Sequence, residues 1–186
     1  MNNKKEAVNY IKKAVETNPD EDTLSNAGAI YHEPLYEYEA AYMAFKQALN
    51  INPRNNSNIA NFAEANLATG RFKDAYNLAQ EILSESDASQ PLDISTQLAM
   101  RFIIISSLVM QGLTAEAKKE LMEFINFYND ISKSYKNEWN YTGTTHFIKE
   151  RIMDSRQKKL LLKLIEILKT QQPSFITARQ FEELIK

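Results

Sequence analysis

The side chains best suited to catalysis or metal binding are scarce in this chain. It contains two histidines, His32 and His146, and no cysteine. Glu33 follows His32 directly, but Pro34 comes next, so a metal-binding helix of the H-E-x-x-H type cannot form there. His146 and Glu150 lie one helical turn apart, and two such ligands without further convergent carboxylates do not make a metal site. We therefore predict no metal site and interpret both histidines as structural residues.

Sequence patterns for nucleophilic catalysis and cofactor binding are also missing. The four glycines form neither G-x-G-x-x-G nor G-x-x-x-x-G-K, and no serine lies in a G-x-S-x-G elbow. Tyr31, Tyr36, Tyr38 and Tyr42 are close enough in sequence to stack on a ligand, but Tyr31 and Tyr38 fit packing positions better. We expect the chain not to be an enzyme and to need no cofactor.

Composition and charge exclude several classes of partner. The 186 residues carry a formal net charge of −2, which disfavours non-specific nucleic-acid binding. Residues 1–100 contain 8 Lys/Arg and 14 Asp/Glu, a balance of −6, whereas residues 101–186 contain 14 and 10, a balance of +4. No apolar stretch reaches the ~20 residues needed to span a bilayer, and the first residues contain no signal-peptide core. We expect a soluble, cytoplasmic protein.

Small and large residues recur in this chain with a period of 34. Ala7, Ala41, Ala75 and Ala117 are separated by 34, 34 and 42 residues, and two further registers keep the same steps. The polar stretch 84–91, which ends in a proline, explains the one longer step as an inserted loop. Within each unit the apolar residues follow helical spacing, and no segment alternates as a strand would. The pattern predicts an all-α fold.

These units resemble the tetratricopeptide repeat (TPR), whose signature combines a large-small pair, an A-x3-F pair and a closing proline. The resemblance covers about residues 3–130 and implies a right-handed superhelix of about three and a half helical hairpins. It places a half repeat at 3–19 and complete repeats at 22–55, 56–90 and 93–130, followed by capping helices in 131–186. The first complete repeat matches the signature at Leu24, Ala27, Gly28, Tyr31, Tyr38, Ala41, Phe45, Ala48 and Pro53.

The helices of such hairpins can approach closely only where side chains are small. Gly28 and several alanines (Ala41, Ala48, Ala63 and Ala75) occupy such positions, and large aromatic residues fill the spaces between them. Gly70 and Gly112 fall where a first helix must end, a position that favours a left-handed backbone.

The tail has no repeat period but contains three predicted helices. The first begins at Thr142–Thr145, whose hydroxyls are suited to capping; the second is amphipathic over Lys158–Lys169; a short last one begins at Thr177. The segment Leu98–Met110 is apolar almost all round and must be buried on more than one side. We expect the tail to cover it, although a partner or a bound peptide would serve the same purpose.

In the TPR family, the first helices of successive repeats line a concave groove that usually binds a peptide or a partner helix. The resemblance therefore implies a non-catalytic adaptor or regulatory subunit that binds another protein. One well-known subset grips a terminal carboxylate, but of the corresponding positions here only Asn61 carries a suitable side chain. The implied partner-binding residues are Asn26, Ala29, His32, Glu33, Asn61, Glu64, Phe102, Ile103, Ser106 and Met110.

Three other interpretations of the sequence stay open. An apolar groove left uncovered at Phe102–Met110 would favour a chaperone-like holder of a secreted or aggregation-prone partner. The amphipathic Lys158–Lys169 helix would suit a membrane-peripheral assembly factor if its leucines, such as Leu161, faced lipid. Because the repeats begin with a second helix, the N-terminal end is expected to be open to a partner within a larger assembly.

Overall fold

A computed structural model of the chain describes residues 2–85, 92–131, 138–170 and 175–185. These residues form helices, turns and loops with no β-strand, which confirms the predicted all-α class for the part of the chain described. The elements, in chain order, are α1 (Asn2–Thr17), α2 (Glu21–His32), α3 (Tyr38–Ile51), α4 (Asn56–Ala68), α5 (Phe72–Glu85), α6 (Ile94–Met110), α7 (Thr114–Asp130), α8 (Thr142–Arg151), α9 (Ser155–Lys169) and a 3-10 turn (Ala178–Gln180).

Each helix from α1 to α7 packs against the next one in sequence. The short connections within the pairs α2–α3, α4–α5 and α6–α7 require antiparallel neighbours, so each pair is a helical hairpin. Helix α4 also contacts both α2 and α6, which places these three first helices in one inner row. This arrangement is that of a helical repeat.

Local sequence sets the ends of these helices. Asp20, Asn55 and Asp93 are N-cap residues, and each side chain accepts a hydrogen bond from a backbone N–H of the first turn of its helix. Gly70 and Gly112 follow α4 and α6 with φ angles of 79° and 75°, so the predicted left-handed ends are confirmed. The predicted loop at 84–91 lies mostly outside the described residues.

The small residues lie where helices come into close contact. Ala41, Ala48, Ala63 and Ala75 are fully buried. A Cβ atom built on Gly28 would lie 2.7 Å from the ring of Phe45, so a larger residue there would push α2 away from α3. The period seen in the sequence therefore has a steric cause.

The chain's own tail covers α6, as predicted. Helix α6 contacts α4, α5, α7 and α9, and Leu98–Val109 is buried except for Arg101. Leu161, Leu164 and Leu168, the apolar stripe of α9, are at most 1% exposed. This stripe packs inside the protein and presents no apolar face to a lipid surface. None of the described helices combines the length and the apolar character needed to cross a bilayer.

Two predictions for the tail were wrong in detail. Helix α8 begins at Thr142, but the threonine hydroxyls do not cap it: Thr145 donates to the Tyr141 carbonyl, and Thr144 bonds to α4 instead. The expected last helix does start after Thr177, which is its N-cap, but it is a single 3-10 turn followed by further turns. Lys163 of α9 donates to the Gln180 carbonyl at 2.5 Å.

Candidate functional site

The inner row of helices is lined by a segment of the chain itself, residues 138–151. This segment, which we call the groove segment, consists of an extended stretch, 138–141, and helix α8. It contacts side chains of α2, α4 and α6 and of the α2–α3 loop. The surface that the sequence predicts for a partner is therefore largely occupied by the protein's own residues.

Apolar packing dominates at the α6 end of the groove. The rings of Tyr141 and Phe102 meet edge to face, with centroids 5.8 Å apart and planes at 81°. Phe102, Ile103 and Ser106 are at most 1% exposed, so these three predicted partner-binding residues belong to the core. Their burial removes the uncovered apolar groove that would favour a chaperone-like holder.

Hydrogen bonds dominate at the other end, between α2 and α4. Glu64 of α4 accepts hydrogen bonds from Trp139 Nε1 at 3.2 Å and from the Thr144 hydroxyl. Glu33, directly after α2, accepts one from Asn140 Nδ2 at 2.5 Å. Each glutamate thus receives donors from the groove segment, and Glu64 is only 7% exposed.

Tyr36, just before α3, and Tyr38, the first residue of α3, contact helix α8 of the groove segment. The Tyr38 hydroxyl lies 3.1 Å from the Gly143 carbonyl, to which it donates, and 2.8 Å from His146 Nδ1. Because the phenol has one proton, Nδ1 donates to its oxygen in the arrangement that satisfies both bonds. Tyr36 stacks on the His146 ring at 3.8 Å with an interplanar angle of 2°. Burial, followed by the neighbouring Tyr36, raises the pKa of Tyr38 well above its usual value.

The backbone of Gly143 lies directly against the ring of His32. A Cβ atom at position 143 would overlap Nδ1 and Cε1 of the His32 ring. His32 is 8% exposed, and its ring also meets the edge of Tyr38 at a centroid distance of 5.6 Å. Both histidines of the chain therefore lie at the contact between the hairpins and α8.

The remaining predicted residues lie at the open rim of the groove. Asn26 and Ala29 of α2 are exposed, and Asn61 of α4 is half-buried. A cavity of about 160 Å³ opens between these helices and the groove segment. It brings together five of the predicted partner-binding residues with two others, and its walls are formed by Ala29, His32, Glu33, Phe45, Asn61, Glu64 and Asn140.

Met110 lies apart from this cavity. It is half-buried and lines a second, larger cavity of about 450 Å³ beside α3 and α8. Tyr36, Tyr38, Phe147 and Arg151 contribute to the same cavity. The structure thus separates the ten predicted residues into positions on and directly after α2 and on α4, a buried group on α6, and Met110 in a second cavity.

Sequence reasoning missed the residues that fill the groove. Trp139, Tyr141 and Gly143 lie outside the repeat period, and the period was the signal used to place groove residues. A usable signal was present: the stretch 139–146 combines aromatic rings, hydrogen-bonding side chains and one glycine, as expected of a strand of chain pressed against another surface. The helical pattern alone predicts only that a helix begins at Thr142–Thr145.

The chemistry available in the groove is hydrogen bonding and charge attraction. Among the described residues, no three His, Asp or Glu side chains gather as a metal site would require. The cavity between α2 and α4 offers carboxylate, amide and imidazole groups to a polar ligand. No protein-family model and no curated protein matches this sequence.

Proposed function

We propose that this chain is a non-catalytic protein–protein interaction module, an adaptor or regulatory subunit that binds a partner polypeptide along its inner groove. One observation carries the proposal: the groove already accommodates a polypeptide, the groove segment, through aromatic packing, a hydrogen bond that Tyr38 of α3 donates to it and one that Glu64 of α4 accepts from it. A surface that binds one stretch of chain in this way is suited to bind another beside it.

The arrangement of the helices supports assignment of the hairpins to the TPR class. Consecutive helices pack pairwise, the first helices form the inner row, and α4 and α6 end in glycines with positive φ. The TPR groove is a protein-binding surface, so this assignment and the occupied groove point to the same function.

The partner-binding part of the groove is its open rim. Asn26 and Ala29 are exposed and Asn61 is half-buried, and Ala29 and Asn61 line the cavity together with Asn140. Asparagine side chains both donate and accept hydrogen bonds, which suits an extended peptide backbone. A partner strand bound here would run between α2 and the groove segment and contact both.

The role of both histidines also favours a binding protein. His32 packs on Gly143, and His146 stacks on Tyr36 and bonds to Tyr38. Both rings contact α8 and help to position it, and Nε2 of His32 has no hydrogen-bond partner among the described residues.

Affinity capture with the full-length chain tests this proposal. The tagged protein is compared with an Asn61→Ala variant and with a matched control, Gln47→Ala, whose side chain is exposed on α3. We expect a partner that the wild type and the control retain and that Asn61→Ala loses by roughly tenfold, the effect of one or two hydrogen bonds.

Hydrogen exchange of the complex locates the contact. The partner should protect backbone amides in 26–33 and 58–64. A partner that all three proteins retain equally, or protection confined to other helices, would contradict binding at the rim.

A further inference from the structure

The chemical groups that line the cavity between α2, α4 and the groove segment, which we call the rim cavity, indicate what kind of ligand it binds. Its polar walls come from Glu33, Glu64, His32, Asn61 and Asn140. The volume of about 160 Å³ corresponds to about five water molecules in the liquid. It is large enough for the end of a long side chain and too small for a helix.

The two carboxylates of this cavity lack a cation among the described residues. Glu64 accepts one hydrogen bond at each oxygen, from Trp139 and from Thr144, and both donors are neutral. A carboxylate offers about four acceptor positions, so each oxygen keeps one free. Burying such a group at 7% exposure without a positive charge is costly. A cationic ligand would remove that cost.

His32 supplies a second and independent observation. Its ring is nine-tenths buried and forms part of the cavity wall, and its Nε2 has no hydrogen-bond partner. A buried ring nitrogen of this kind is normally satisfied in a folded protein. In the neutral ring with hydrogen on Nδ1, Nε2 is an acceptor, as the carboxylates are.

The cavity therefore presents mainly acceptors, and its ligand must be a donor that carries positive charge. A guanidinium group has five N–H donors, no acceptor and a planar shape that matches a carboxylate. Charge-assisted hydrogen bonds of this type are about twice as strong as neutral ones. An anion would be repelled by Glu33 and Glu64.

We infer that the rim cavity binds the guanidinium group of an arginine side chain on the partner polypeptide. This inference rests on the proposed function and names the chemistry by which the partner is recognised. Glu33 is half-buried and Glu64 is 7% exposed, and both line the cavity. Both carboxylates are therefore available to the guanidinium, while Asn61 is available to the partner's backbone.

An NMR titration tests the inference on the whole chain. The sequence contains one tryptophan, and the indole N–H of Trp139 donates to Glu64 in the cavity wall. A single cross-peak therefore reports on the surroundings of Glu64. We expect a blocked Ala-Arg-Ala tripeptide to shift this cross-peak saturably. The citrulline analogue has the same shape and no charge, and it should cause no saturable shift.

Substitutions at the two carboxylates give the decisive comparison. Glu33→Gln keeps a group that Asn140 can bond and should weaken tripeptide binding by roughly tenfold. Glu64→Gln should weaken it at least as much, but it also changes the contact with α8. The matched control, Glu81→Gln, removes the same charge from the exposed surface of α5 and should leave binding unchanged.

Three outcomes would overturn the inference. They are equal binding of the arginine and citrulline peptides, equal losses in Glu33→Gln and Glu81→Gln, and tighter binding of free agmatine than of the tripeptide, which would indicate a small-molecule ligand. A captured partner that depends on Asn61 while the tripeptide fails to bind would leave the proposed function standing and reject the arginine cavity alone.

Discussion

The groove segment is held differently at the two ends of the groove. At the α6 end, Tyr141 packs edge to face on Phe102, and both side chains are 1% exposed. At the α2 end, Asn140 and Trp139 reach the glutamates through single hydrogen bonds, and a cavity stays open beside them. Apolar side chains pack against each other without gaps at the α6 end. Hydrogen bonds at the α2 end fix the positions of the bonded side chains but leave a cavity between them. The first end is fully packed, and the second keeps an open cavity lined by polar side chains.

Truncation at the apolar end should have the largest effect. Phe102→Ala removes a fully buried ring and should lower the free energy of unfolding by about 3–5 kcal/mol. Urea denaturation followed by circular dichroism measures this loss, and Phe102→Leu should cost less because it keeps more of the volume. If Phe102→Ala lowered the free energy of unfolding by less than Asn140→Ala does, the apolar end would not be the more stabilising of the two ends.

Removal of the buried polar contact should come next. Thr144→Val deletes the hydroxyl that donates to Glu64 and keeps the shape of the side chain. Because the acceptor is a buried carboxylate, we expect the free energy of unfolding to fall by about 2 kcal/mol. Thr144→Ser keeps the donor and serves as the control. Equal losses in both variants would assign the effect to packing and not to the hydrogen bond.

A larger residue at Gly143, which lies against His32, should move the groove segment away from the hairpins. Gly143→Ala places a methyl group against the ring of His32. Overpacking, partly offset by the better helix propensity of alanine, predicts a loss of about 1–2 kcal/mol. The fluorescence of Trp139 should shift to the red as α8 moves outward. Lys149→Ala, on the exposed side of α8, should leave the emission unchanged.

The smallest effect is expected at the exposed polar contact. Asn140→Ala removes the donor to Glu33 and should cost less than about 1 kcal/mol, because water replaces the lost bond. Asn140→Asp sharpens the test, since it places two carboxylates together and should destabilise more at neutral pH than at pH 3. If the two variants had the same free energy of unfolding at both pH values, the contact with Glu33 would not contribute to stability.

The sequence predicted the hairpins well and their occupant poorly. Ala41, Ala75 and the glycines after α4 and α6 recur because stacked helices demand small residues and sharp ends at fixed intervals, and such local rules can be read from one chain. The tail obeys no such rule. Gly143 fits against His32 only once the hairpins exist, so its contact depends on the folded surface and leaves no period in the sequence.

The residue that covers Phe102 could not be predicted for the same reason. The apolar sequence of α6 predicts that the helix is buried and favours the tail as its cover, but it does not name Tyr141. Which tail residues cover which end of the groove follows from the three-dimensional path of 138–151. Ala29 and Asn61 could be placed by register, whereas the cavity that they line needed the position of Asn140.

The bond between Tyr38 and Gly143 joins positions 105 residues apart, which has a consequence for synthesis on the ribosome. The hairpins close from neighbouring contacts as they emerge, yet α6 stays partly uncovered until Tyr141 and α9 have also emerged. At about 5–20 residues per second, that interval lasts on the order of seconds. We therefore expect stalling after α6 has emerged and before α9 has emerged to promote aggregation more than stalling earlier or later.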